Sequence, residues 1–150
     1  MGKIQAYKKI REPWQTGGLI GIPFVDGGRD RKGIDCWGLV LKTFEMFNIN
    51  IPDYNVACTA IEAVDFSPKK IGQTIEDYKY QWNKVKKPYA PVLITMGISD
   101  AGPKILNHLG VYIGSNIFIH TLSGRNSSIA PLNHMLFKKM IEGFYEYIGN

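Results

Sequence analysis

What is scarce in this sequence limits it more than what is abundant. Cysteine occurs only at Cys36 and Cys58, and histidine only at His108, His120 and His134. Two cysteines are too few for a disulfide framework, and the cysteines and histidines have none of the spacings of a zinc ligand set. Neither a metal nor another cofactor is therefore expected. No run approaches the roughly 18–20 apolar residues that cross a bilayer, and Met1-Gly2-Lys3-Ile4-Gln5 lacks the apolar core of a secretory signal. The expectation is a chain with no membrane span that does not leave the cell by the usual route. Glycines cluster from Gly21 to Gly28, yet no Gly-Lys-Ser/Thr follows them, so a phosphate-cradling loop is not indicated. Acidic residues are outnumbered, 13 against 18 Lys and Arg, and the resulting charge of +5 suits an anionic surface or substrate. The lysines are spread in pairs (Lys8-Lys9, Lys69-Lys70, Lys86-Lys87, Lys138-Lys139) rather than massed, which argues against a nucleic-acid partner.

What is present has the composition of an ordinary globular chain: 150 residues, 45% hydrophobic and 21% charged. That size predicts one domain, residues 1–150, with a single core. Leu39, Val40, Phe44 and Phe47 recur at helical spacing, which predicts a helix from Cys36 to Phe47 that ends at Asn48-Ile49-Asn50. Ile75, Tyr78, Trp82 and Val85 suit one face of a second helix. The later chain reads as strands: Val92–Met96, Asn107–Ile113, Ile117–Thr121 and Phe144–Ile148, with a loop over residues 99–104 and a short helix near Leu132–Ile141. Helices first and antiparallel strands afterwards predict an α+β fold.

Cys36 falls in the first turn of the first helix, after a glycine-rich loop. Unpaired amides and the helix dipole stabilise a thiolate there and lower its pKa from about 8.5 to roughly 4–7. The plainer reading is a small buried apolar residue. A Cys36–Cys58 bridge would sacrifice the reactive thiol, and the expectation is that Cys36 stays unbridged. A nucleophile needs a base, and the base needs a third group to orient it. Alternation along a strand puts His108 with Gly110 and Tyr112, and His120 with Phe118. A three-residue turn, Gly114-Ser115-Asn116, pairs Ile113 with Ile117, sets His120 opposite Gly110 and brings both imidazoles to one face. A two-residue turn pairing Gly114 with Ile117 would separate them. His134 has no partner in the sequence and reads as a surface residue.

Four blocks in this order, Gly21-x-Pro-Phe-x-x-Gly-Gly, Asp35-Cys36-Trp37-Gly38-Leu39-Val40, His108-Leu-Gly-Val-Tyr-Ile-Gly114 and Phe118-Ile-His120, resemble the NlpC-type papain-like cysteine peptidases. The resemblance implies a papain-like core, with the cysteine helix packed on an antiparallel sheet. It implies Cys36 as nucleophile, His108 as base and His120 as the third polar residue, and hydrolysis of amide bonds in peptidoglycan stem peptides, commonly next to D-glutamate and diaminopimelate. Asp35 matches an acidic residue that helps recognise the substrate amine in some relatives; a plain helix N-cap is the other reading. Trp37 and Phe24 stand where many relatives have a serine and a tyrosine hydroxyl, which makes them candidates for a substrate pocket of different specificity. The Asp-Cys-Trp-Gly form and the long stretch between Cys36 and His108 resemble phage and prophage tail-associated members. Those members imply tail proteins as partners and action at the bacterial wall. An acyltransferase or deamidase using the same three residues, and a non-catalytic docking module of a tail tip, are the alternatives.

Overall fold

The computed structural model describes residues 17–54, 77–98 and 105–149. Residues 1–16, the expected loop over 99–104 and the stretch 55–76, which includes Ile75 of the expected second helix, lie outside the described residues.

Asp35 ends the glycine-rich segment in an extended conformation, and its carboxylate accepts the Gly38 N–H, so the first helix starts at the next residue. This helix, α1 (Cys36–Met46), presents the predicted apolar stripe inward, with Leu39, Val40, Phe44 and Phe47 each no more than 2% exposed. Burial of each such side chain contributes about 1.5–3 kcal/mol. Asn48 terminates the helix with φ at 61°, and the amides of Asn48 and Ile49 close back on Glu45 and Phe44. This is the left-handed stop that Asn tolerates better than most residues. Before α1, two short strands, β1 (Arg29–Asp30) and β2 (Gly33–Ile34), form a tight antiparallel ribbon.

The remaining strands are β3 (Trp82–Val85), β4 (Val92–Ile98), β5 (Ile105–Gly114), β6 (Ile117–His120), β7 (Ser128–Pro131) and β8 (Ile141–Tyr147). They make one antiparallel sheet in the order β3-β8-β4-β5-β6-β7. Alternation splits its apolar residues between two cores. Leu93, Leu109, Val111, Ile113 and Ile119 pack with α1 on one face. On the other, Ile94, Met96, Phe118 and Ala130 pack with Phe137 and Met140 of a short helix, α2 (Met135–Met140). A helix followed by an antiparallel sheet on which it packs is the α+β arrangement the element order predicts.

Three readings of the sequence change. The second helix expected through Tyr78, Trp82 and Val85 is a 3-10 turn at Lys79–Gln81 followed by strand β3. Spacings of four and three fit a helix, but pairing with β8, where Trp82 meets Tyr147 edge-on at 5.0 Å, decides the conformation. Strand β7 was unanticipated because Ser-Ile-Ala-Pro has little strand propensity of its own; β6 supplies its pairing. The β5–β6 turn has two residues, Ser115 and Asn116, both with φ near 60°, and it pairs Gly114 with Ile117. By the sequence argument this turn would put the histidines on opposite faces. A bulge at Ile113 restores the phase, so that Gly110 still pairs with His120.

Candidate functional site

The two strand histidines meet. His108 Nε2 and His120 Nδ1 are 2.9 Å apart, with the rings edge-on at 66°. Gly110, which pairs with His120, sits in a tight place: a Cβ there would stand 3.0 Å from the Phe118 ring and 3.1 Å from the Ile119 carbonyl. A second bulge, between Met96 and Gly97 of β4, leaves Asn107 of β5 without an opposite residue just before His108. Bulges of this kind re-aim the neighbouring side chain. The face of His120 is closed by Phe137 at 4.8 Å and Phe118 at 5.0 Å.

Both rings are buried, and burial sets their charge. Desolvation and then the neighbouring His120 hold His108 down at about 3; desolvation, then Arg125 and His134, hold His120 at about 4. At neutral pH the pair is uncharged, and one proton lies in the bond between the rings. Because Nε2 of His108 is taken by this bond, Nδ1 is the nitrogen left to accept a proton from elsewhere.

Cys36 occupies the first turn of α1, is 3% exposed and belongs to the core cluster that contains Leu109, the neighbour of His108 in sequence. The expectation of an unbridged thiol is corrected here: Cys36 is disulfide-bonded. The chain's other cysteine, Cys58, lies outside the described residues. The Trp37 indole donates to the Asp53 carbonyl at 2.6 Å and stacks on Tyr54 at 5.5 Å, so Asp53 and Tyr54 lie beside the start of α1.

Asp35 is fully buried. Its Oδ1 accepts from Gly38 N–H at 2.8 Å and from Arg29 at 2.8 Å, and its Oδ2 accepts from Gly27 N–H at 3.0 Å. Arg29 continues to Asp53 at 3.0 Å, so one ionic chain ties the glycine-rich loop, the helix start and the end of the loop after α1. Trp37 is 4% exposed and Phe24 half-buried, with its amide bonded to the Arg125 carbonyl. Ser127, which reads in the sequence as a plain loop residue, is a clamp: its hydroxyl accepts from Ile22 N–H at 2.9 Å and donates to the Leu19 carbonyl at 2.6 Å. Sequence reasoning also missed Phe137 against His120, since nothing local distinguishes a helix phenylalanine that meets a strand two elements away. Among the described residues there is no group of three or more His, Cys, Asp or Glu that could hold a metal, and no helix long and apolar enough to cross a membrane.

The NlpC/P60 family, compared as a sequence model, matches residues 21–145. The murein DD-endopeptidase MepS/murein LD-carboxypeptidase of Escherichia coli K12 is 26% identical over 120 residues, 79% of this chain and 52% of that protein. A probable endopeptidase of Haemophilus influenzae is 25% identical over 120 residues, again 79% of this chain and 62% of its own length. The chain thus spans between about half and three fifths of these relatives. An NlpC/P60 family protein from Bacillus cereus ATCC 10987 has the same fold, with a TM-score of 0.59 at 22% identity over 87% of this chain and 37% of that one. With a match that takes in the glycine-rich loop, the cysteine helix and both strand histidines, the chain belongs to the NlpC/P60 family.

Proposed function

We propose that this protein is a cysteine peptidase that hydrolyses amide bonds in peptidoglycan stem peptides, of the D-glutamyl-diaminopimelate type. The observation that carries the reading is the 2.9 Å bond between His108 and His120, on the sheet against which the helix that begins with Cys36 packs. Family membership and the murein endopeptidase among the relatives support the substrate class.

The chemistry starts from the reduced protein, in which an external thiol reductant has opened the Cys36 disulfide by thiol–disulfide exchange and has itself been oxidised to a disulfide. Neutral His108 takes the thiol proton on Nδ1 while His120 holds its Nε2, and the sulfur attacks the amide carbonyl. The Cys36 backbone N–H, at the positive end of the helix, stabilises the oxyanion. His108 then protonates the leaving amine as the tetrahedral intermediate collapses to a thioester. Water, deprotonated by His108, hydrolyses the thioester and returns the thiol. Once a thiolate forms, its negative charge favours the protonated imidazole and so raises His108 during turnover. Asp35 braces the helix start, and with Trp37 and Phe24 it shapes the substrate side of the nucleophile. No cofactor enters.

The reading treats residues 1–150 as one peptidase domain working at the bacterial wall in the company of phage or prophage tail proteins. It is supported by the Asp-Cys-Trp-Gly form of the cysteine block. The docking-module alternative draws on one observation, the disulfide at Cys36. Digestion of purified peptidoglycan by the reduced protein, followed by mass spectrometry of the muropeptides, separates the two. New amino termini that are absent with Cys36→Ala support the peptidase, and an unchanged muropeptide profile refutes it.

A further inference from the structure

Behind His120, on the side away from His108, lies a pocket of about 260 Å³ that the catalytic scheme leaves unused. His120, Arg125, Asn126, Ser128, His134 and Phe137 contribute to its wall, and the described lining carries no carboxylate. Among the described residues Arg125 is exposed and has no acidic partner, since the ion pairs all involve other residues. Its backbone is nevertheless fixed, the amide bonded to the Leu122 carbonyl at 3.0 Å and the carbonyl to Phe24 N–H at 3.2 Å. His134 caps α2 by accepting Leu136 N–H on Nδ1 at 3.2 Å, which leaves its ring proton on Nε2 as a donor. Residues that carry a guanidinium, an imidazole, an amide and a hydroxyl thus line one space, and its described lining holds no negative charge. The depression of His120 by Arg125, beyond that caused by burial, is the electrostatic sign of the same uncompensated guanidinium.

We propose that this pocket binds a carboxylate, and that the bound anion selects the working tautomer of the histidine pair. With Nδ1 of His120 committed to His108, the other ring nitrogen, Nε2, is the one left for the pocket. An anion there requires Nε2 of His120 to carry its proton, which leaves Nδ1 as an acceptor. His108 must then donate from Nε2, and its Nδ1 is left bare to act as the base. Without the anion the pair is free to take the opposite tautomer, in which His120 Nδ1 donates and the proton of His108 sits on Nδ1, where it cannot accept from a thiol. The pocket is therefore a positioning device for the base. As the occupant in catalysis it takes the carboxylate of an acidic peptide, which rests on the peptidase reading; the anion site itself does not.

The test separates these two layers. In long-range proton–nitrogen spectra of the histidine rings in the full chain, acetate should produce a saturable response. The bound state should show His120 protonated at Nε2 and His108 unprotonated at Nδ1. Arg125→Ala should weaken this response roughly tenfold or more, and Arg125→Lys should restore part of it, while chloride at equal ionic strength gives no response. No saturable response, or an equal one in Arg125→Ala, overturns the site. In kinetics with the reduced protein, exchanging a peptide carboxylate for a carboxamide should lower kcat/KM by roughly 10- to 100-fold, and this penalty should vanish in Arg125→Ala. If instead added acetate restores cleavage of the carboxamide peptide, the occupant is a free carboxylate and the tautomer mechanism stands. A spectral response with neither kinetic effect refutes the coupling to catalysis. A protein that binds acetate but cleaves no peptide refutes the peptidase reading alone.

Discussion

Acid should unfold this protein through its histidine pair before its carboxylates titrate. Both rings are at most 5% exposed, and they are held at about 3 and about 4 against 6.5 in the unfolded chain. A histidine depressed in the folded state takes up its proton only on unfolding. Its contribution to stability is therefore complete above 6.5 and is lost as pH falls toward the folded value. Near pH 5 the unfolded chain binds almost two more protons on these rings than the native one, a slope of about 2.5 kcal/mol per pH unit. From pH 7 to pH 5 the loss amounts to about 3–4 kcal/mol, a large share of the roughly 5–15 kcal/mol that keeps an ordinary domain folded. Glu142 belongs to a lower window: burial pushes it up, but bonds from Lys84, Thr95 and Tyr145 outweigh this and hold it below 4.5. Urea titrations followed by tryptophan fluorescence at pH 7, 6 and 5, without reductant, measure the slope. The double variant His108→Gln/His120→Gln should lose most of it. Equal slopes in wild type and double variant would refute the assignment of two buried neutral imidazoles.

Four further perturbations probe the site. Hydrolysis of a stem peptide should require a thiol reductant, and Cys58→Ser, which removes the only other cysteine, should abolish that requirement; equal rates with and without dithiothreitol in wild type would contradict it. Gly38→Ala should destabilise by about 1–3 kcal/mol despite the better helix propensity of alanine, because the added Cβ would lie 2.3 Å from the Gly28 carbonyl; a rise in urea midpoint would overturn that contact. Asp35→Ala should cost about 2–4 kcal/mol in the same assay, since it strips the cap from Gly38 and removes the buried carboxylate that pairs with Arg29; a loss under 1 kcal/mol would show that the buried carboxylate contributes little. Thr121→Val should change stability by no more than about 0.5 kcal/mol, or raise it, because the buried Thr121 hydroxyl has no bonding partner among the described residues; a loss of 2 kcal/mol would reveal one.

The cysteine helix and the strand histidines are legible in the sequence because the signals that define them are local. The stripe Leu39, Val40, Phe44 and Phe47 fixes the face of α1, and Asn48 marks its end. Strands β5 and β6 are legible from their alternation, whereas the pairing of His120 with Gly110, read from a three-residue turn, is made by a two-residue turn and the bulge at Ile113. What escapes depends on partners distant in sequence. Trp82 is a strand residue because β8 is beside it, and Ser128 because β6 is. The state of Cys36 belongs to the same class, since a disulfide is not written in the residues around the cysteine. His134, read from the sequence as a surface residue, is exposed in the fold, and nothing local to it signals that it shares a pocket wall with Arg125.

The bulge at Ile113 works as a phase shifter for the strand it interrupts. The two-residue tip and the bulge are each off by one with respect to the histidines, and the errors cancel. The tip is therefore the editable end of the hairpin: residues exchanged at Ser115 and Asn116 leave the rungs below unchanged. Ile113 is where the hairpin counts. Deleting that one residue would remove the bulge and not the register: Gly114 would still pair with Ile117 and Tyr112 with Phe118, so Gly110 would still meet His120. What the hairpin holds constant is thus the rung between Gly110 and His120, and the number of residues from His108 to His120 follows from it together with the bulge.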